Sequence, residues 1–424
     1  MSIQNNHFPE TSSGDHTHLL RKNPGPQKLF LFDIDGVLVE PLGYRAAVQS
    51  SLDLFTSQMG LGAGFYNSKE IIPIFEAHRI TSEWDMVPLC LSRLFDRYQA
   101  LHPDPPFTAG LDAALAFLHT RLLSDQEIHS LQKGLNMPEF IRSIESILIP
   151  GRYPSESAFA ARESLFPAIG ESSLLAQLLQ NTRQVSLSTT TRIFQNFSLG
   201  SERFSGTYGL PPEFETDSLL LRYDRPLLPA ALRKTLVEQR AGKQIGIAAY
   251  TMRPSLPPRP IRAKRNGYAP EAELALQLVG LLEVPLIGYG RIRYLAEKQH
   301  VEPETYLKPS PVQGLAAILS AYFEDELFAL QAAATLTTDE DISGLWGNLI
   351  PRDNLCVHVF EDSPGGVEAV WNAVRILEER GFRVRVRSWG IAAHPEKVAA
   401  LQKLKVPVLP TLEEAVRQAL QEQE

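Results

Sequence analysis

Short continuous runs of apolar residues recur along the chain and predict strands that are buried on both faces. The first run is Lys28–Asp33 (KLFLFD), and the others are Gln244–Tyr250, Val284–Ile287, Cys356–Phe360, Arg383–Ser388 and Val406–Leu409. Runs of this length are typical of parallel sheets, in which helices cover both faces of every central strand. The pattern therefore predicts a parallel sheet that is assembled mainly from the C-terminal half of the chain.

Apolar residues at helical spacing fill much of the remaining chain. From Tyr44 to about Gln239 they predict a mainly helical segment, with helices at Ala46–Met59, Trp84–Leu101, Leu111–Leu123 and Leu174–Leu179. Beyond it, helices alternate with the strands, at Pro270–Leu282, Ser310–Tyr322, Gly365–Arg380, Pro395–Leu404 and Leu412–Gln421, while Gly288-Tyr289-Gly290 is predicted to be a turn.

This alternation predicts an α/β fold with a doubly wound, Rossmann-like parallel sheet. The core is expected to consist of residues 28–43 and 240–424. A large, mainly α-helical cap domain, residues 44–239, is inserted after the first strand, and residues 1–27 are expected to form a disordered tail.

Composition and charge narrow the classes of function. A length of 424 residues is long for one compact core, and a net charge of −8 argues against binding to nucleic acid. No apolar run is long enough to span a membrane, and the polar first 27 residues predict no signal peptide. The two cysteines, Cys90 and Cys356, show no metal-binding pattern, which favours a reducing, cytoplasmic compartment.

Polar side chains follow the predicted strands. Asp33, Asp35 and Gly36 follow the first, Thr251 and Arg253 follow the second, Lys308 lies in a turn that opens a helix, and Glu361 and Asp362 follow Cys356–Phe360. Because the carboxyl ends of parallel strands meet at one edge of a sheet, we expect all of these residues to face one crevice.

The set matches the needs of phosphoryl transfer, which are an in-line nucleophile, a cation and hydrogen-bond donors around the phosphate. Asp33 is predicted to be the nucleophile that forms an aspartyl-phosphate. Asp35 is predicted to protonate the leaving oxygen and then to activate water. Thr251 and Lys308 are expected to hold the phosphate. Arg253 begins a basic, proline-containing loop, for which substrate guidance and a solvated surface both stay open.

The same carboxylates predict a magnesium site. Asp33, Asp35, Glu361 and Asp362 offer the oxygen ligands that Mg²⁺ prefers, although Glu361 has an alternative role as a hydrogen-bond acceptor within its loop. Gly36 is expected to let the backbone turn close to the ligand.

Four motifs in order resemble those of the haloacid dehalogenase-like superfamily. They are FDIDGVLVEP (Phe32–Pro41), Thr251 in IAAYTMR, Lys308 in LKPSP, and VFEDSPGGVEA (Val359–Ala369), the last being most similar to β-phosphoglucomutase and phosphoglycolate phosphatase relatives. The resemblance implies a magnesium-dependent phosphatase that acts on a small phosphorylated metabolite. Dehalogenases of this superfamily lack a carboxylate at the position of Asp35 and need no metal, so Asp35 favours phosphate chemistry. The insertion is far longer than the usual helical cap of such relatives.

Two other functions stay open. The EDS form of the last motif also suits a phosphomutase or phosphotransferase, which would pass the phosphoryl group to a second hydroxyl instead of water. The third interpretation is a catalytically idle core whose insertion provides a binding or assembly surface. The sequence does not predict the oligomeric state.

Overall fold

The computed structural model describes residues 26–103, 107, 110–259, 261, 268–338 and 355–422. The predicted N-terminal tail, residues 1–27, lies outside the described residues except for Pro26 and Gln27. The chain divides into two compact units. The sheet unit comprises Met1–Val39, Pro226–Ile261 and Val279–Glu424, and the helical unit comprises Glu40–Arg225 and Arg262–Leu278.

Eight strands lie in the described residues: β1 (Lys28–Phe32), β2 (Val39–Glu40), β3 (Arg225–Pro226), β4 (Ile245–Tyr250), β5 (Leu286–Ile287), β6 (Leu355–Glu361), β7 (Val384–Ile391) and β8 (Val408–Leu409). Six of them form one parallel sheet in the order β5-β4-β1-β6-β7-β8. From β1 the chain order runs outward in both directions, so the sheet is doubly wound, as predicted. The short strands β2 and β3 pair with each other in a separate two-stranded sheet.

Helices occupy most of the rest of the described chain. In chain order they are α1 (Leu42–Gln58), α2 (Ser68–Ala77), α3 (Glu83–Leu101), α4 (Leu111–Thr120), α5 (Asp125–Leu135), α6 (Met137–Glu145), α7 (Pro154–Ala160), α8 (Arg162–Leu165), α9 (Ser173–Leu179), α10 (Thr189–Leu199), α11 (Ser201–Tyr208), α12 (Leu219–Tyr223), α13 (Ala230–Ala241), α14 (Glu271–Val279), α15 (Tyr289–Gln299), α16 (Pro311–Phe323), α17 (Glu326–Thr337), α18 (Pro364–Glu379), α19 (Pro395–Lys403) and α20 (Leu412–Gln421). None of them combines the length and the apolar character that a membrane span requires.

The central strand β1 is buried on both faces because its side chains alternate between two apolar layers. Leu29 and Leu31 pack with buried residues of α16, α17 and α18. On the opposite face, the Phe32 ring stacks on Phe360 with 4.6 Å between ring centroids, and Phe30 lies 5.5 Å from the same ring. A continuous apolar run was thus the correct signal for this strand.

The helical unit has a core of its own. One apolar cluster contains fully buried phenylalanines from several of its helices and from the residue that follows α8: Phe55, Phe75, Phe95, Phe166 and Phe194. Local sequence signals fix some helix starts: Ser124 and Glu127 form a capping box at α5, and Ser188 accepts a hydrogen bond from the Thr191 N–H at α10. The predicted fold class, a parallel α/β sheet with a large helical insertion, is confirmed.

Two helices group differently from the predicted core and insertion. α13 belongs to the sheet unit, although most of it lies before residue 240, and α14 except for its last residue belongs to the helical unit. The reason is visible at Glu271 of α14, a fully buried carboxylate that accepts hydrogen bonds from the Tyr44 hydroxyl and, at 2.6 Å, from the Gln195 amide. The sequence pattern alone gives no sign of these contacts.

One local prediction was wrong. Gly288-Tyr289-Gly290 is not a simple turn, because Gly288 is the N-cap of α15 and the next two residues form its first turn. The Gly290 N–H donates to the Ser255 hydroxyl at 2.9 Å. A Cβ at Gly290 would clash with the backbone of Ser255. This glycine therefore lets the start of α15 pack closely against the loop that follows β4.

Candidate functional site

The predicted site residues meet at the carboxyl edge of the sheet unit, where the strand order changes direction. Asp33 directly follows β1, Thr251 follows β4, and Glu361 ends β6 with Asp362 next to it. Lys308 precedes α16. Doubly wound sheets generally bind ligands at such a switch point, since the connections on either side of it diverge.

Lys308 links two of the buried carboxylates. Its ammonium donates to Asp33 Oδ1 at 3.0 Å and also bonds to Glu361 Oε1. Burial raises the pKa of Asp33 to about 7, against the opposing effect of the Lys308 charge. Burial alone would lower the pKa of Lys308, but the Asp33 and Glu361 charges raise it above its ordinary value, so the lysine stays charged. The ammonium also lies 3.9 Å from the centre of the Tyr250 ring.

Three carboxylates form a candidate metal site. Asp33, Glu361 and Asp362 each offer an oxygen, and these oxygens lie within 4.8 Å of one another in a buried environment. Burial raises the pKa of Asp362 to about 6. Converging buried carboxylates stabilise a cation, and an all-oxygen set suits Mg²⁺, so the residues fit the predicted ion.

Asp35, the fourth predicted ligand, has a different partner in this structure. The Arg253 Nε donates to both of its carboxylate oxygens, at 2.8 and 2.9 Å, and Nη2 lies 2.6 Å from Oδ1. Only 1% of the Arg253 side chain is exposed, compared with 34% of Asp35. Arg253 therefore forms a bidentate pair that fixes the Asp35 carboxylate beside the three metal-site carboxylates without adding it to their group.

Glycine allows the acidic residues to lie close to the backbone. Gly36 has φ of +77°, and a Cβ there would collide with the Asp362 carboxylate. Gly366, in the first turn of α18, would likewise place a Cβ on the Glu361 carboxylate. The sequence analysis expected Gly36 to let the backbone turn close to a ligand, but it did not single out Gly366.

Gln313 connects three of the loops that carry the site. From the first turn of α16, its amide donates to the carbonyls of Thr251 at 3.0 Å and Ile287 at 3.1 Å. Its oxygen accepts from the Lys308 N–H at 2.9 Å. Gln313 is fully buried and was missed by the sequence analysis, since a single glutamine near a helix start carries no distinctive signal.

Two further residues next to the site were also missed. Tyr250 ends β4 and was predicted only as the last residue of a buried strand. Its ring lies under the Lys308 ammonium, and its hydroxyl donates to the Gly366 carbonyl at 3.3 Å. Lys397, on α19, bonds to Asp362 Oδ2. Lys397 follows a predicted strand, as most of the other site residues do, but several polar residues lie beside it in the sequence and nothing distinguishes it from them.

Comparison with known proteins identifies the fold and nothing finer. No model of a protein family matches the chain, and no curated protein sequence matches it. An X-ray structure of the Northeast Structural Genomics Consortium target ZR25 is 14% identical and superposes with a TM-score of 0.58, over 93% of this chain and 98% of that one. Phosphatase Tt82 from Thermococcus thioreducens is 15% identical over 92% and 99% of the two chains, but its TM-score of 0.38 supports no conclusion.

Proposed function

We propose that the protein is a magnesium-dependent phosphatase of the haloacid dehalogenase-like superfamily, which hydrolyses a small phosphorylated metabolite in the cytoplasm through an aspartyl-phosphate on Asp33. The observation that carries this proposal is the position of Asp33. Its carboxylate lies at the switch point of the sheet, hydrogen-bonded to the buried Lys308 and within reach of the Glu361 and Asp362 carboxylates. A carboxylate in this setting is both a candidate metal ligand and a candidate nucleophile.

In the proposed first step, one Asp33 oxygen attacks the phosphorus atom and the bond to the leaving oxygen breaks. The Lys308 ammonium and the Thr251 hydroxyl bind the phosphate oxygens, and the ammonium offsets the repulsion between the two anions. Asp35 supplies a proton to the leaving oxygen. In the second step Asp35 takes a proton from water, which attacks the phosphorus and releases Asp33 and inorganic phosphate.

The magnesium ion would be held by Asp33, Glu361 and Asp362. Asp35 would lie next to them, hydrogen-bonded to Arg253. Magnesium bound there would neutralise part of the carboxylate charge and polarise the phosphate. The Asp35 side chain is 34% exposed, which leaves it accessible to a leaving group and to water.

The test is phosphate release from a panel of phosphorylated metabolites, with Mg²⁺ and with a chelator. For Asp33→Asn we expect a loss of at least about a thousandfold in kcat on any substrate that wild type hydrolyses, because the amide is no nucleophile. Asp112→Asn, an exposed position in the first turn of α4, is the matched control and should retain full activity. Activity that persists in Asp33→Asn would contradict the assignment.

The same panel separates the alternatives from the sequence analysis. Label transferred from a phosphorylated substrate to a second hydroxyl compound, with little free phosphate, would indicate a mutase or transferase. Absence of turnover from every compound, in a protein that is folded and binds Mg²⁺, would favour a binding module.

A further inference from the structure

Lys397 is a cation next to the candidate metal site that the proposed mechanism does not use. It lies in the first turn of α19, which begins at Pro395, and its ammonium bonds to Asp362 Oδ2. The partners differ in environment: 53% of the Lys397 side chain is exposed, compared with 10% of Asp362. The lysine thus reaches inward from solvent to a carboxylate that is nearly buried.

This contact differs from that of Lys308. Lys308 is buried, with 7% of its side chain exposed, and it bonds to two carboxylates. A buried lysine between two acids is held in place, because its release would leave charges unpaired away from water. About half of the Lys397 side chain is already solvated and its long stem has many rotamers, so its ammonium loses less on leaving a carboxylate for water than the Lys308 ammonium would.

The charges at the edge of the sheet suggest when such a release occurs. Among the residues that the structure describes, the carboxyl groups of Asp33, Asp35, Glu361 and Asp362 lie with three cations, from Lys308, Arg253 and Lys397. With all four carboxyl groups ionised, these side chains carry one net negative charge. Replacement of the Lys397 ammonium by one divalent cation brings the group to neutrality, whereas both together would place two repelling cations on the same carboxylate.

We propose that Lys397 is a removable counter-ion of the metal site, which neutralises Asp362 in the metal-free protein and moves to solvent when a divalent cation binds. The inference rests on the proposed function only for the location of the metal site. Its consequence is that Lys397 weakens metal binding, because the ion must displace an internal competitor before it reaches Asp362.

The first experiment is calorimetric titration of the metal-free protein with MgCl₂ at pH 7.5 and constant ionic strength. Lys397→Met should bind Mg²⁺ about two- to fivefold more tightly than wild type, the range that corresponds to a half-exposed ion pair. Lys397→Arg keeps the charge and should stay close to wild type. Lys403→Met, an exposed position on the same helix, should also match wild type.

A second experiment follows the lysine directly. Amines are acetylated with limiting acetic anhydride, with and without Mg²⁺, and modification is quantified by peptide mass spectrometry. We expect Mg²⁺ to increase acetylation of Lys397 several-fold and to leave Lys403 unchanged. In Asp362→Asn the acetylation of Lys397 should already be high without metal.

Equal or weaker Mg²⁺ binding by Lys397→Met would overturn the inference, and so would acetylation of Lys397 that does not respond to metal. Failure of the proposed function has a different signature. Tighter Mg²⁺ binding by Lys397→Met in a protein that hydrolyses no phosphorylated compound would support the inference and count against the phosphatase. Metal-dependent hydrolysis with unchanged Mg²⁺ affinity in Lys397→Met would support the phosphatase and count against the inference.

Discussion

At Gly36 one missing side chain decides the position of a carboxylate. The residue has φ of +77°, a region that costs other residues about 1–2 kcal/mol, and a Cβ would collide with Asp362. We expect Gly36→Ala to displace the Asp362 carboxylate and to weaken Mg²⁺ binding at least about tenfold. Gly62→Ala is the matched control, because Gly62 has φ of +80° and nothing lies within 4 Å of its added Cβ. Calorimetric Mg²⁺ titration and denaturant unfolding of both variants would separate displacement from backbone strain, and an equal Mg²⁺ affinity in both would contradict this account.

His358 shows how a buried polar residue can be held in one protonation state. It lies on β6, where the Trp389 indole N–H donates to Nδ1 at 3.2 Å and Nε2 lies 3.4 Å from the Cys356 sulfur. Because an indole can only donate, Nδ1 is unprotonated and the ring is neutral. Burial lowers the pKa of His358 to about 4, with Lys28 and Arg387 adding to the effect.

A pH dependence of stability follows. A base whose pKa is about 4 when folded and 6.5 when unfolded stabilises the folded protein fully above pH 6.5, and this contribution is lost as the pH falls towards 4. The difference in unfolding free energy between wild type and His358→Gln should therefore shrink by about 2 kcal/mol from pH 7 to pH 5. Denaturant unfolding at both pH values measures it. The exposed His119→Gln should show no such change, and a pH-independent difference for His358→Gln would argue against a neutral ring.

At the scale of elements, α15 and α17 anchor the loop that follows β4. Arg291 donates to the Leu256 carbonyl at 2.8 Å, and its guanidinium pairs with Glu326 at 3.2 Å. Glu326 also accepts from the N–H groups of Arg259 at 3.1 Å and Leu286 at 2.9 Å. The loop that carries Thr251 and Arg253 is thus fastened by a buried carboxylate far from the site in sequence.

Replacement of this carboxylate should be costly. We expect Glu326→Ala to lower the unfolding free energy by about 3–5 kcal/mol, because Arg291, with 1% of its side chain exposed, loses its carboxylate partner. Glu297→Ala removes the exposed partner of Arg293 and should cost less than about 1 kcal/mol. Denaturant unfolding of the two variants provides the comparison, and a similar small loss in both would contradict the anchoring role of Glu326.

At the scale of the whole molecule, metal binding should be visible as stability. A ligand that binds only the folded protein stabilises it by about 1.4 kcal/mol at ten times its Kd. We expect Mg²⁺ to raise the midpoint of thermal unfolding in wild type, and EDTA to reverse the increase. Asp362→Asn removes one of the three clustered carboxylates and should abolish most of the gain. A gain of the same size in this variant would place the ion elsewhere.

The sequence by itself determined the sheet and the edge of the sheet at which its polar residues gather. Continuous apolar runs at β1, β4 and β6 predicted buried parallel strands, and the rule that such strands end at one edge brought Asp33, Thr251 and Asp362 together. These predictions depend only on local periodicity and on the polar residues that directly follow each strand. The bounds of the strands were therefore predicted to within a few residues. One helix, Glu326–Thr337, was not predicted.

Only the tertiary structure decided which charges pair. Arg253 and Asp35 are 218 positions apart, and Lys397 and Asp362 are 35 apart, with no spacing that signals either contact. The same holds for Glu271, which joins α14 to the helical unit through Tyr44 and Gln195. Side-chain pairing depends on where loops and helix starts lie in space after the elements have packed, and a linear pattern of apolar and polar residues does not contain that information.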